Sequence, residues 1–339
     1  MRRRRLLLLV VTVALAAGAA TVWVSRSDSP DPAPVARPSP TPPTLLYVEP
    51  TGPAVDQVLA YEAAGRIADA ALIRRIAERP VAAWFADEGP GHLERARTLV
   101  TDAAAAGRLP VLVLYHIPHR DCSGESAGGA ATASAYSAWI SSIARALDGR
   151  RAIVILEPDS VAQAVQGCLS TAQRDVRYAL LGRAIDTLAA NPGLTVYLDG
   201  GNSAWITDTA LMATALKRAG VARADGFALN VANFETTKAT TAYGTRLSKR
   251  LGGARFVIDT SRNGNGPTAK GHHHWCNPPS RALGEPPTLT TGRSRVAGYL
   301  WIKRPGESDG ACGRGAPPAG RWWPAYALEL AARAGGRGS

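Results

Sequence analysis

Short hydrophobic runs rich in Val, Ile, Leu and aromatic residues recur at Leu45 to Val48, Val81 to Phe85, Pro110 to Ile117, Ala152 to Leu156, Leu194 to Leu198, Gly226 to Val231, Arg255 to Ile258 and Gly298 to Ile302. Each is too short for an ordinary helix and is bounded by Pro, Gly or Asp, which predicts buried strands. Between most of them lie Ala-, Leu- and Arg-rich stretches with helical spacing, such as Asp56 to Glu78, Leu93 to Gly107, Ala133 to Leu147, Thr171 to Leu188 and Thr209 to Gly220. Strand alternating with helix implies right-handed crossovers and a parallel sheet. So many repeats in one chain favour a distorted β/α (TIM-like) barrel of about seven to eight parallel strands over an open sheet. Arg262 to Arg295 breaks the pattern: rich in Gly, Pro, Asn and His, it reads as a long surface loop, and loops of that length are usually functional.

The two ends of the chain differ. Arg2 to Arg5 precede an uncharged Leu-, Val- and Ala-rich run from Leu6 to Val24. That is the basic and apolar order of an export signal. Residues 1–24 are therefore a signal peptide or, because about 19 residues nearly suffice to span a bilayer, an uncleaved signal anchor tethering the protein to a membrane. Residues 25–44, built from Ser, Asp, Pro, Ala and Thr without an apolar period, read as an extended linker. Residues 45–339 are left as one large domain, secreted or anchored outside the membrane and expected to be monomeric.

Charge narrows the partners. The formal net charge is +12, and removing the six arginines and two aspartates of the first 44 residues leaves +8 for the domain. Those charges are scattered singly, with no basic stripe interleaved with aromatics, so nucleic acid is not expected as a partner. No phosphate-cradling glycine motif follows a strand, which weighs against a nucleotide cofactor. Cys122, Cys168, Cys276 and Cys312 are an even set in an exported chain and read as two disulfides, with three pairings open. Pairing of neighbours would stiffen one loop beside Asp121 and another beside Asp309, each bridge contributing about 3 kcal/mol. The cysteines lack zinc spacing, and the consecutive His272, His273 and His274 point apart in a loop, so no metal is expected.

Four of the hydrophobic runs lead into an aspartate, namely Asp121, Asp159, Asp199 and Asp309. The carboxyl edge of a parallel barrel is where active sites are built. Carboxylates converging there suit acid and base work on a glycosidic bond: one must donate a proton while another stays ionised, and mutual repulsion helps the donor keep its proton. The bland alternative for each is a turn or helix-cap role; for Asp199 it is an N-cap after a strand.

The motifs then become recognisable. Tyr115 with Arg120-Asp-Cys-Ser-Gly-Glu-Ser-Ala-Gly-Gly129, Glu157-Pro-Asp159, Tyr197-Leu-Asp199, Asn230-Val-Ala-Asn233, Asp259-Thr-Ser-Arg-Asn-Gly-Asn-Gly266, Trp275-Cys-Asn-Pro-Pro279 and Trp301-Ile-Lys-Arg-Pro-Gly-Glu-Ser-Asp-Gly310 resemble, in order, glycoside hydrolase family 6, the cellulases. The resemblance implies cofactor-free hydrolysis of β-1,4-glucan with inversion at the anomeric carbon. It implies Asp159 as proton donor, Asp121 as modulator of that acid and positioner of water, Asp309 as base, Asp199 as supporting carboxylate and Tyr115 as the residue that distorts the sugar ring. It also implies sugar stacking on Trp84, Trp205 and Trp275 and polar contacts from Asn230, Lys303 and Glu307. Asn202 stands where many members carry histidine; asparagine still bonds a hydroxyl but carries no proton. Trp139, Trp301, Trp322 and Trp323 are left to core or surface. An endo-acting β-glucanase is expected from the compact domain, with an exo-acting cellobiohydrolase or a non-catalytic glucan-binding protein as the alternatives.

Overall fold

A computed structural model describes residues 45–268 and 274–334. The expected signal segment and linker, His272 and His273 lie outside the described residues. No described helix is long and apolar enough to cross a membrane.

Seven strands form one parallel sheet in sequential order: β1 Ala83–Phe85, β2 Val111–Leu114, β3 Ala152–Leu156, β4 Leu194–Asp199, β5 Gly226–Leu229, β6 Arg255–Asp259 and β7 Val296–Leu300. Helices fill the crossovers: α1 Pro53–Ala63, α2 Ile67–Ala77, α3 His92–Ala105, α4 Ala133–Ala146, α5 Ser160–Gln166, α6 Thr171–Ala189, α7 Thr209–Arg218, α8 Thr237–Arg250 and α9 Pro324–Ala332. The described residues thus make a single α/β domain with a curled, incomplete barrel. β1 and β7 flank a seam that is bridged by the Ala82 N–H donating to Trp301 O at 2.9 Å.

The strand interiors are almost entirely hydrophobic because both faces are buried. Alternate residues sort between two cores. Val111, Val113, Ile153, Ile155, Tyr197, Ala228 and Val257 fill the inside of the curl. Leu112, Leu114, Val154, Leu156, Val196, Leu198, Phe227 and Phe256 face the surrounding helices. A third cluster packs α1, α2 and α9 around Trp301 outside the seam.

Three expectations are corrected. Leu45 to Val48 is not a strand: it makes one bridge, Leu46 to Leu109, beneath the short β1. The helical stretch Asp56 to Glu78 is two helices. Gly65 adopts φ 71° and the following N–H, on Arg66, bonds Tyr61 O, a left-handed stop that only glycine takes without strain. The segment after β6 is not simply a surface loop, since Arg262, Asn263, Asn277, Ala282 and Leu283 are all buried.

Candidate active site

The carboxyl edge of the sheet carries backbone strain as well as acids. Of the ten non-glycine residues with left-handed φ among the described residues, seven sit in the exits of β2, β3 and β5: His119, Asp121, Cys122, Glu157, Asp159, Asn230 and Ala232. Such conformations persist only where the surroundings enforce them, and they concentrate at functional sites.

Here the enforcement comes from buried carboxylates that accept backbone N–H groups of adjacent strand exits. Glu157, fully buried at the end of β3, accepts from His116 N at 2.9 Å and Ile117 N at 3.1 Å in the β2 exit. Asp199, fully buried at the end of β4, accepts from Asp159 N at 2.9 Å and Gly201 N at 3.0 Å. Asp259 at the end of β6 accepts from Ser261, Ala232, Ile302 and Lys303 and so joins the exits of β5, β6 and β7. Asp199 is therefore a brace on the backbone of Asp159, and α7 is capped by Asp208 instead.

Asp121, Asp159 and Asp199 form one electrostatic group. Burial, then Asp199, then Asp121 hold the Asp159 carboxyl well above the ordinary aspartate range. Burial raises Asp199 to about 7 against the N–H groups it accepts, and raises Asp121 against the Ser126 N–H, which donates at 2.7 Å. Asp159 is half-buried, whereas Asp199 is fully buried. Tyr115 stands beside the group: its hydroxyl pKa is pushed well up by burial, then by Asp159 and Asp121. Its ring meets Trp84 edge to face at 5.6 Å and lies under the Arg120 guanidinium at 4.7 Å.

Asp121 depends on a glycine. A Cβ on Gly124 would lie 2.5 to 2.8 Å from the Asp121 carboxylate atoms. Because the obstacle is the movable end of a side chain, Gly124→Ala is expected to displace the carboxylate while leaving the fold intact. Turnover should fall at least about tenfold with the melting temperature nearly unchanged; parallel assay and thermal unfolding check this, and wild-type turnover would show that the Asp121 position is immaterial.

Asp309 belongs to a different cluster. Its Oδ2 accepts from Arg262 Nη1 at 2.8 Å and Asn277 N at 3.0 Å, and Lys303 Nζ lies 3.8 Å from its Oδ1. Arg262 is fully buried. Among the described residues no hydrogen bond or ion pair joins Asp309 to the other three aspartates. The two halves of the site meet through their loops, where Glu125 Oε2 accepts from Ala311 N at 3.1 Å. The disulfides pair neighbours, Cys122 with Cys168 and Cys276 with Cys312, and so tie the Asp121 loop to the end of α5 and the Asp309 loop to the segment after β6.

The residues expected to contact sugar separate into two groups. Trp84 and Trp205 are half-buried, with their indole N–H groups donated to Ile302 O and Gln166 Oε1, and Trp275 is 37% exposed. All three keep ring surface accessible. The polar set is more inward. Asn230 is fully buried and spends its amide on Glu235 O and Asp259 O and its carbonyl on Glu235 N, so it shapes the β5 exit. Asn202 uses its carbonyl oxygen on Ala204 N and Trp205 N, fixing the turn that presents Trp205. Lys303 donates to Ser308 O, and Glu307 pairs with Arg304. Roles for Arg120, Glu157, Asp259, Arg262 and Asn277 escaped the sequence reading. All five lie inside its motifs, but no sequence spacing shows which backbone groups a buried carboxylate gathers.

A strained carboxyl edge with an aspartate pushed well above its ordinary range, a second ion-paired aspartate and ring-bearing walls is the site of a hydrolase that works by carboxylates. The chain belongs to glycosyl hydrolases family 6, whose family model matches residues 42–334. It is 43% identical over 299 residues to Endoglucanase A of Cellulomonas fimi, a match covering 87% of this chain and 62% of that protein. It is 42% identical over 292 residues to Endoglucanase 1 of Streptomyces halstedii, covering 84% and 87% respectively. Among solved structures it is similar to the endoglucanase Cel6 of Mycobacterium tuberculosis in complex with methyl-cellobiosyl-4-deoxy-4-thio-β-D-cellobioside, with TM-score 0.81 and 43% identity over 87% of this chain and 98% of that one.

Proposed function

We propose that the protein is a secreted or membrane-tethered β-1,4-glucanase that cuts within the polymer and inverts the anomeric carbon. The observation that carries this reading is the Asp159 carboxyl, pushed well above the ordinary aspartate range by burial and by two neighbouring aspartates, at the exit of β3. Asp159 gives its proton to the glycosidic oxygen as the bond breaks. Asp309, paired with Arg262 and with Lys303 Nζ 3.8 Å from its Oδ1, is the base that takes the proton of the attacking water, which Asp121 orients. Tyr115 and Trp84 form the wall against which the ring is pressed. The relatives named endoglucanases support internal cutting, as does a sheet left open at the β1/β7 seam.

The test is product stereochemistry. With carboxymethylcellulose, mixed-linkage β-glucan and xylan as substrates, proton NMR should show α-configured reducing ends appearing first, from the cellulose derivative above all. Viscosity should fall ahead of reducing-end release. β-Configured products, or no products from any β-1,4-glucan, would overturn the proposal.

A further inference from the structure

Trp322, which the sequence leaves to core or surface, is the cross-strand partner of Glu307. The flanking bonds, Ser308 N to Arg321 O at 2.9 Å and Trp323 N to Gly306 O at 2.8 Å, make Glu307 and Trp322 a non-hydrogen-bonded antiparallel pair. In such a pair the two side chains rise on one face, with Cβ atoms about 4.5 to 5.5 Å apart. Gly306 permits this: with φ 94°, any Cβ there would run into the six-membered ring of Trp322. Gln57 Oε1 accepts from the indole N–H at 3.3 Å and sets the ring orientation.

Glu307 and Trp322 together line a cavity of about 210 Å³ at the β1/β7 seam. That is smaller than pockets that enclose a drug-sized ligand and on the scale of a single sugar ring. Glu49, Arg95 and Arg304 contribute its polar wall. Arg304 reaches Glu307 Oε1 at 3.4 Å and Glu49 Oε2 at 3.7 Å, so its charge is met by two carboxylates. Arg95 donates to Trp84 O at 3.0 Å, which places the cavity next to the backbone of the half-buried tryptophan in the middle of β1. An aromatic face beside two carboxylates and the guanidinium groups of Arg79, Arg95 and Arg304 offers a polyhydroxy ring both an apolar platform and a rim of hydrogen-bonding groups.

We propose that this cavity is an outer subsite for one glucosyl unit of the glucan chain, beyond the unit met by Trp84 and farther from the bond that is cut; this rests on the β-glucanase reading. Trp322 supplies the apolar platform, and Glu49, Arg304 and Glu307 take the hydroxyls. The consequence is dependence on chain length: a longer oligosaccharide gains affinity that a shorter one, filling only the central subsites, does not.

The experiment is calorimetric binding of cellotetraose and cellohexaose to the Asp159→Asn protein, where turnover does not interfere. Cellohexaose should bind about tenfold more tightly than cellotetraose. Adding Trp322→Ala or Glu49→Ala should remove most of that advantage and leave cellotetraose affinity unchanged, while Trp322→Phe keeps it. Thermal unfolding is followed for each variant, and if Trp322→Ala does not fold, Glu49→Ala and Trp322→Phe decide the matter. An unaltered ratio of the two affinities in the folded variants overturns the subsite, even where wild-type turnover upholds the hydrolase. Loss of the advantage together with tighter inorganic phosphate binding than sugar binding in the wild type would also overturn it, in favour of an anion site.

Discussion

Asp159→Asn is expected to lower turnover of carboxymethylcellulose by about 10²- to 10⁴-fold while leaving cello-oligosaccharide binding nearly intact. Asparagine is close to isosteric with aspartic acid and, unlike alanine, tolerates the left-handed backbone at this position, where φ is 67°. The turn into α5 should survive, and only the proton is lost. The same proton sets the alkaline side of the wild-type rate profile: the rate falls as pH rises through the raised Asp159 value and the acid form disappears. It also couples to stability. The folded protein keeps a proton that an unfolded aspartate releases near 3.8, so this stabilisation is complete at low pH and is lost as pH rises through the folded value. The melting temperature of Asp159→Asn should therefore drop less than that of the wild type as pH rises above 3.8. A variant that still turns over substrate at the wild-type rate would remove Asp159 from the chemistry.

Arg262→Met is expected to destabilise the fold by about 3 to 5 kcal/mol, because it leaves the Asp309 carboxylate buried without its cation. For a domain of this size that is a fall of about 10 °C in melting temperature. The guanidinium also donates to Ala232 O at 2.6 Å and stacks on Phe234 at 4.5 Å, so Arg262→Lys restores charge without geometry and should recover only part of the loss. A double-mutant cycle with Asp309→Asn separates the causes. If the ion pair carries the effect, the double variant is markedly less destabilised than the two single losses combined. Strict additivity would show that Arg262 acts through packing alone.

Much of the architecture was legible because a parallel strand buried on both faces must be hydrophobic at every position. β3 was read to the residue, and β2, β5 and β7 were displaced or trimmed only at their ends, where side chains no longer decide pairing. The run at Leu45 failed as a strand since composition cannot tell a strand from a segment that makes one bridge. At the site, Asp121 and Asp159 were visible as acids at strand exits, but the inward bonding of Asn230 was not. Its polar atoms are consumed by backbone groups of Glu235 and Asp259, partners that folding alone brings near.

By itself the amino-acid order determined the alternation of strand and helix, the placing of four aspartates after hydrophobic runs and the family motifs, since each depends on local spacing and residue type. Only the tertiary structure decided that the Asp159 carboxyl is pushed well above the ordinary aspartate range. That depends on burial and on charges brought together from β2, β3 and β4, and the field at a carboxyl group is a sum over distances in space. The same holds for Asp309, whose ion-pair partner Arg262 lies 47 residues away along the chain.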